Sequence, residues 1–298
     1  MKKVIEVNQL DKFYGEFKAI DNVSFTIEEN KICGLLGRNG AGKTTLMKLL
    51  TAQVFPTDGE LKVFGENPEE NRRVLSKICF IKESQKYPDN FSVNDILEVS
   101  KSLFSNWDEE FAQSLIKDFN LPLKKKTKKL SRGMQSAVGI VIGLASRAPL
   151  TIFDEPYLGL DAVSRGLFYD RLMEDYSEYP RTVILSTHLI DEVSNLLEHI
   201  LVVDNGQIII NDEAENLRGT AFTVTGQTGK VEAFLRGKEV IHREPFGGLL
   251  SATVIQSKNI SDWNLAAASG LEISPVSLQQ LVVHLTKGKS TQKGAIAQ

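Results

Sequence analysis

The chain has 298 residues, 42% hydrophobic and 24% charged, which is enough for one large domain or two smaller ones, each with its own core. Its formal net charge of −3 gives no bulk electrostatic support for nucleic-acid binding. No apolar run is long enough to span a bilayer; Ala137 to Ala145 (AVGIVIGLA) is the longest and reads as a buried helix. The N-terminus, MKKVIEV, lacks the apolar core of a secretory signal, so a cytosolic chain is expected, one that could dock on a membrane partner. Cys33 and Cys79 lie far apart inside apolar runs and are expected as buried thiols rather than a disulfide or metal ligands.

Val4 to Ile27 alternates apolar and polar residues around a Tyr14-Gly15 turn, the period-2 pattern of antiparallel strands. Ile32 to Leu36 (ICGLL) is a short apolar run ending at a glycine, as a buried strand does, and Thr45 to Thr51 has helical spacing. Pro56 to Gly65 reads as a turn followed by a strand, and Ile78 to Ile81 as another short strand. Ser92 to Asn120 is helical in pattern, with Ser92 to Asp95 as its cap region, and Leu130 to Arg147 is a second helical stretch. Leu150 to Phe153, Thr182 to Ser186 and Ile200 to Val203 are continuous apolar runs, which suit strands covered on both faces. With helical segments between them, they predict a parallel α/β sheet carrying a helical lobe inserted near residues 84 to 146.

The character changes after Arg218-Gly219. Phe222 to Val224, Val240 to Arg243, Ala252 to Ile255 and Leu271 to Ile273 are expected strands, and Lys230 to Arg236 and Ser261 to Ala268 expected helices. That order, βαββαβ, is the split-βαβ arrangement of a small α+β domain. A last helix at Ser277 to Leu285 precedes a polar tail expected to be disordered. The expected domains are therefore 1–218, 219–287 and a flexible tail, 288–298.

The stretch Gly37 to Thr45 reads GRNGAGKTT and fits the phosphate-loop pattern G-x-x-x-x-G-K-[ST]. Residues Gly37, Arg38, Asn39, Gly40, Ala41 and Gly42 would turn backbone N–H groups toward the β- and γ-phosphates of a nucleotide. Lys43 supplies a point charge to those phosphates, the Thr44 hydroxyl is placed to hold Mg²⁺, and Thr45 opens the following helix. Strand, glycine loop and helix together aim a helix N-terminus at an anion. Phe153-Asp154-Glu155-Pro156 follows an apolar strand; Asp154 can orient Mg²⁺ through water, and Glu155 can accept a proton from an attacking water. Leu130-Ser131-Arg132-Gly133-Met134-Gln135 precedes the second helical stretch. Ser131 is expected as an N-cap, and with Gly133 it offers a second phosphate-binding surface.

The order GRNGAGKTT, LSRGMQ, FDEP, Gly159-Leu160-Asp161 and Ser186-Thr187-His188 resembles the ATP-binding subunits of ABC transporters over roughly residues 4 to 218. The resemblance implies a P-loop NTPase with a RecA-like parallel sheet, an antiparallel β subdomain and the inserted helical lobe. It implies that Tyr14 stacks on adenine, that His188 contacts the γ-phosphate, and that Gly159 to Asp161 crosses a dimer interface. Two such domains would sandwich two ATPs head to tail, the phosphate loop of one facing Ser131 to Gly133 of the other. A second copy or a paralogue is therefore an expected partner, beside a polytopic membrane permease, with the chain on the cytoplasmic face of the membrane and no nucleic acid.

Two positions depart from the family pattern. The glutamine that normally follows the strand at Ile78 to Ile81 is replaced by Glu83, with Gln85 two residues later; Glu83 could bind Mg²⁺ through water, and which of the two serves is open. The signature is LSRGM rather than LSGGQ, with Ser131 and Gly133 retained. LSRGM, Glu83 and the short C-terminal extension resemble bacterial exporter ATPases for drugs, bacteriocins and antimicrobial peptides, of the Ytr and phenol-soluble-modulin exporter type. The permease would dock near Tyr87 to Ile96, with Tyr87 and Phe91 either exposed contacts or buried within the lobe. The basic run Lys124 to Lys129 is a solvated loop or a site of attraction to anionic lipid. The competing function is a soluble ATPase of the same family acting on ribosomes or DNA; a P-loop kinase or GTPase would lack the LSRGM segment.

Overall fold

The computed structural model describes residues 2–83, 85–255, 266 and 268–293. They form two compact units, the first Met1–His188 with Leu196–Asn211 and the second Leu189–Asn195 with Asp212–Gln298.

The first unit opens with β1 (Lys3–Tyr14) and β2 (Phe17–Glu28), an antiparallel pair that turns at Gly15; β4 (Asp58–Val63) joins the other edge of β1. Between them in sequence lie β3 (Ile32–Leu36) and α1 (Lys43–Leu50). A short helix, α2 (Arg72–Leu75), is capped by Asn71 and leads to β5 (Ile78–Ile81). The expected helical stretch from Ser92 to Asn120 divides into α3 (Val93–Leu103) and α4 (Glu109–Asp118). The break has a local cause. Ser92 and Asp95 form a capping box that starts α3, while Asp108 accepts from the Phe111 amide and starts a second helix. α5 (Arg132–Ala145) follows, with Ser131 as its N-cap accepting from the Met134 amide, as expected.

The remaining strands of the large sheet are β6 (Leu150–Asp154), β7 (Thr182–Thr187), β8 (His199–Asp204) and β9 (Gln207–Glu213), with α6 (Ala162–Glu178) between β6 and β7. The order across the sheet is β5-β6-β7-β3-β8-β9. Pairings β5·β6, β6·β7, β7·β3 and β3·β8 are all parallel. Every residue of β3, β6 and β7 is buried, which is why these strands read as unbroken apolar runs instead of alternating ones. Register does the rest. Leu36 pairs with Thr187, Asp154 with Ser186, and Ile81 with Phe153, so the carboxyl ends of four strands meet along one rim. In open α/β sheets that rim is where ligands bind.

The second unit takes in α7 (Ile190–Val193), α8 (Ala214–Leu217), β10 (Ala221–Gln227), α9 (Thr228–Phe234), β11 (Glu239–Phe246), β12 (Leu249–Ile255) and β13 (Glu272–Pro275). The sheet is antiparallel, in the order β11-β12-β10-β13, which is the split-βαβ topology. Phe222, Val224, Val231 and Val254 centre its own core. The expected helix Ser261–Ala268 lies outside the described residues apart from Ala266 and Ala268, both helical. The last helix, Leu278–Lys293, runs on where a disordered tail was expected from residue 288. No proline interrupts that stretch, and its lysine and glutamine residues favour helix. The main segment of the unit begins at Asp212, ahead of the expected boundary at 219, and Leu189–Asn195 belongs to the unit as well.

Candidate functional site

The loop between β3 and α1 walls a cleft of about 490 Å³ at the carboxyl rim of the sheet. Five residues of the loop, Arg38 to Gly42, line it together with Lys43, Thr44 and Thr45 of α1. Gly37 turns the chain out of β3 at φ 146, and a Cβ there would stand 2.2 Å from the Val203 carbonyl oxygen, so only glycine passes. Lys43 is buried and its ammonium donates to the Gly37 oxygen (2.8 Å) and the Arg38 oxygen (3.2 Å). Burial pushes the Lys43 pKa down, and the charges of Glu155, Asp154 and Glu83 act against that. The side chain is held at the phosphate loop by those two carbonyl oxygens, with three carboxylates on the same cleft.

The Thr44 hydroxyl donates to Asp154 Oδ2 at 3.2 Å, bringing together two of the three side chains expected to hold Mg²⁺. Asp154 is buried, and burial raises its carboxyl above the usual range; the hydrogen bond from Thr44 opposes this, and the Glu155 charge adds to it. A hydroxyl and a carboxylate are the hard oxygen donors that suit Mg²⁺, and a cation beside Asp154 would relieve the cost of burying its charge.

Glu155 follows at once, in the left-handed region at φ 49, with its amide donating to the Ser186 oxygen at 3.2 Å. Its Oε2 lies 2.8 Å from His188 Nδ1 and accepts from the Tyr157 hydroxyl. The Tyr157 oxygen in turn accepts from the His188 amide at 3.1 Å and lies 2.9 Å from Thr187 Oγ1. Burial, reinforced by the hydrogen bond to Glu155, keeps the Tyr157 phenol well above its ordinary pKa, so it remains a donor. Tyr157 is one of the residues that sequence reasoning missed. Its only signal was an aromatic two places after the expected base. Left-handed backbone at a non-glycine residue costs energy that the surroundings must repay, and such strain clusters at functional sites.

The structure brings Lys43, Thr44, Glu83, Asp154, Glu155 and His188 to one cleft. It does not bring Tyr14 there. Tyr14 is exposed at the end of β1 under the Lys12 ammonium, and the aromatic at the cleft is Phe17, across the turn. Of the two alternatives after β5, Glu83 lines the cleft, whereas Gln85 is turned inward with its side-chain oxygen buried. Glu83 is engaged by Arg132, Nη2 to Oε1 3.1 Å.

Ser131 and Gly133 lie at the start of α5, outside the cleft lining. Asp161 caps α6 by accepting from the Ser164 amide at 2.8 Å, and that bond holds its carboxyl below the usual range. In the helical lobe, Tyr87 and Phe91 are both half-buried, and the Tyr87 hydroxyl is wholly buried. The large apolar side chains exposed on the lobe are Val99 and Leu103 of α3.

A Cβ on Gly133 would stand 2.4 Å from the Gly159 carbonyl oxygen, so the start of α5 and the turn after Glu155 touch backbone to backbone. Gly133→Ala is expected to force them apart and to destabilise the first unit by about 1–3 kcal/mol, the usual range for overpacking. Urea unfolding checks this; an unshifted midpoint would show that the contact yields freely.

A family model described as "ABC transporter" matches residues 20–158. The chain is 33% identical over 219 residues to the lantibiotic transport ATP-binding protein SrtF of Streptococcus pyogenes, covering 72% of this chain and 94% of that one. It is 26% identical over 205 residues to the ABC transporter ATP-binding protein YtrB of Bacillus subtilis, covering 69% and 70%. Among solved structures, the dimeric post-hydrolysis state of an ATP-binding cassette bound to ADP and Pi aligns with a TM-score of 0.61 at 22% identity, covering 70% of this chain and 98% of that one.

Proposed function

This chain belongs to the ABC transporter family, as an ATP-binding, ATP-hydrolysing subunit, and we propose that it powers export of a drug or antimicrobial peptide through a separate membrane permease. The observation that carries the reading is the meeting of Lys43, the Thr44–Asp154 pair and the Glu155–His188 pair in one cleft.

Within it each side chain has a part. Lys43 and the loop amides bind the phosphates. Thr44 and Asp154 would hold Mg²⁺, which when bound neutralises phosphate charge. Glu155, aimed by Tyr157, takes the proton of the attacking water, and His188 orients against the γ-phosphate. Phe17 rather than Tyr14 has the position to face the base. Ser131, Gly133 and Asp161 stand outside this cleft, which supports their serving the site of a second subunit. ATP would then close two such subunits, and hydrolysis would reopen them. Lantibiotic transport belongs to the name of one relative, and it favours a peptide cargo here.

No helix among the described residues is long and apolar enough to cross a membrane. Affinity purification of the tagged chain from detergent-solubilised membranes is expected to recover a polytopic permease, placing the chain at the cytoplasmic face. Co-sedimentation with ribosomes and no membrane partner would overturn the exporter reading.

A further inference from the structure

Glu83 puts a third carboxylate, beside Asp154 and Glu155, on the lining of a cleft that must accept a polyphosphate. Like charge at that mouth opposes binding. Arg132, at the first position of α5, lies with its guanidinium 3.1 Å from the Glu83 carboxylate. A cation at a helix N-terminus is itself opposed by the helix dipole, so each partner offsets a charge that the other's position disfavours. The pair joins segments 49 positions apart in sequence. The Arg132 stem starts beside the backbone of Gly159, where a Cβ on that glycine would stand 3.0 Å from Arg132 Cγ, while the ion pair itself is exposed to solvent.

We propose that Arg132 is a positioning residue for the nucleotide cleft, holding the Glu83 carboxylate at the rim and cancelling its charge. The two departures from the family pattern, Glu83 and the arginine of LSRGM, are then one compensated change. This rests on the reading of the cleft as an ATP site. Arg132 acts on the ligand through Glu83, and its effect is electrostatic rather than structural.

The test is MgATP binding to the full chain, measured by calorimetry for wild type, Arg132→Ala, Arg132→Lys, Glu83→Gln and the double variant Arg132→Ala/Glu83→Gln. Arg132→Ala is expected to weaken binding about three- to fivefold at low salt, the scale of one exposed ion pair. The deficit should shrink toward none between about 0.01 M and about 1 M salt, where the screening length falls from roughly 30 Å to 3 Å. Arg132→Lys should bind within about twofold of wild type, and the double variant within about twofold of Glu83→Gln, because the Arg132→Ala deficit exists only while Glu83 carries its charge. A double variant weaker than Glu83→Gln by the full Arg132→Ala deficit, or a deficit that salt does not change, would each overturn the proposal. Wild-type protein that failed to bind MgATP would refute the nucleotide reading itself, whereas firm wild-type binding with an unaltered Arg132→Ala affinity refutes only the role of Arg132.

Discussion

Glu155→Gln is expected to bind MgATP within about twofold of wild type while its hydrolysis falls by a factor of about 10² to 10⁴, the usual contribution of a positioned general base. The amide is nearly isosteric with the carboxylate. Both side-chain contacts of Glu155 fall on one oxygen, Oε2, and an amide oxygen in that place can still accept from the Tyr157 hydroxyl and from a proton on His188 Nδ1. The left-handed backbone at residue 155 does not change, so neither the strain nor its compensation is disturbed. What disappears is the capacity to take a proton. Because Lys43, Thr44 and Asp154 are untouched, binding should survive. A protein that binds ATP and cannot discharge it should accumulate in the closed dimer, visible as an ATP-dependent shift in size-exclusion chromatography. Phosphate release at the wild-type rate would show that Glu155 is not the base. Loss of binding together with hydrolysis would show instead that the substitution had disturbed the cleft.

How far these residues could be foreseen depended on whether the relevant contacts were local. The strands of the parallel sheet were legible because burial on both faces leaves a run such as Ile32–Leu36 wholly apolar. The phosphate loop was legible because its chemistry is contained in nine successive residues. The order of the strands was a different matter. β7 lies between β6 and β3 although β3 precedes β6 by more than a hundred positions, and that adjacency is what sets Asp154, Glu155 and His188 against Lys43. Neither local propensity nor period carries it; only the named resemblance implied it. Tyr14 and Phe17 flank one tight turn, and which ring reaches the cleft depends on how the turn twists, which alternation does not specify. The split of the lobe between α3 and α4 was within reach, since Asp108 is an ordinary cap, but a periodic apolar pattern ran straight across it. Arg132 and Glu83 were each seen as anomalies, and only the fold shows that they meet.

Lys43→Met should separate the energetics of the cleft from those of its ligand. The ammonium is buried, and its two protein partners are the carbonyl oxygens of Gly37 and Arg38. Burying a charge is costly, and the lowered pKa of Lys43 reports that cost even with three carboxylates acting against it. Methionine keeps an unbranched apolar stem and removes the charge, so the protein without nucleotide should melt no lower than wild type. Binding should behave in the opposite way. Hydrogen bonds from a charged group contribute about 1.5–3 kcal/mol, so MgATP affinity should fall by a factor of about 10 to 100. The three carboxylates would also face the polyphosphate with no cation among them. Since a ligand stabilises in proportion to the logarithm of its saturation, a hundredfold loss of affinity removes about 2.7 kcal/mol of ATP-induced stabilisation at a fixed excess. Thermal melts with and without MgATP read both effects in one experiment. An ATP-dependent upward shift equal to that of wild type would remove Lys43 from the phosphate site. A large fall in the melting temperature of the nucleotide-free protein would mean that the ammonium is retained for the loop's own stability, its bonds to Gly37 and Arg38 outweighing the cost of burial.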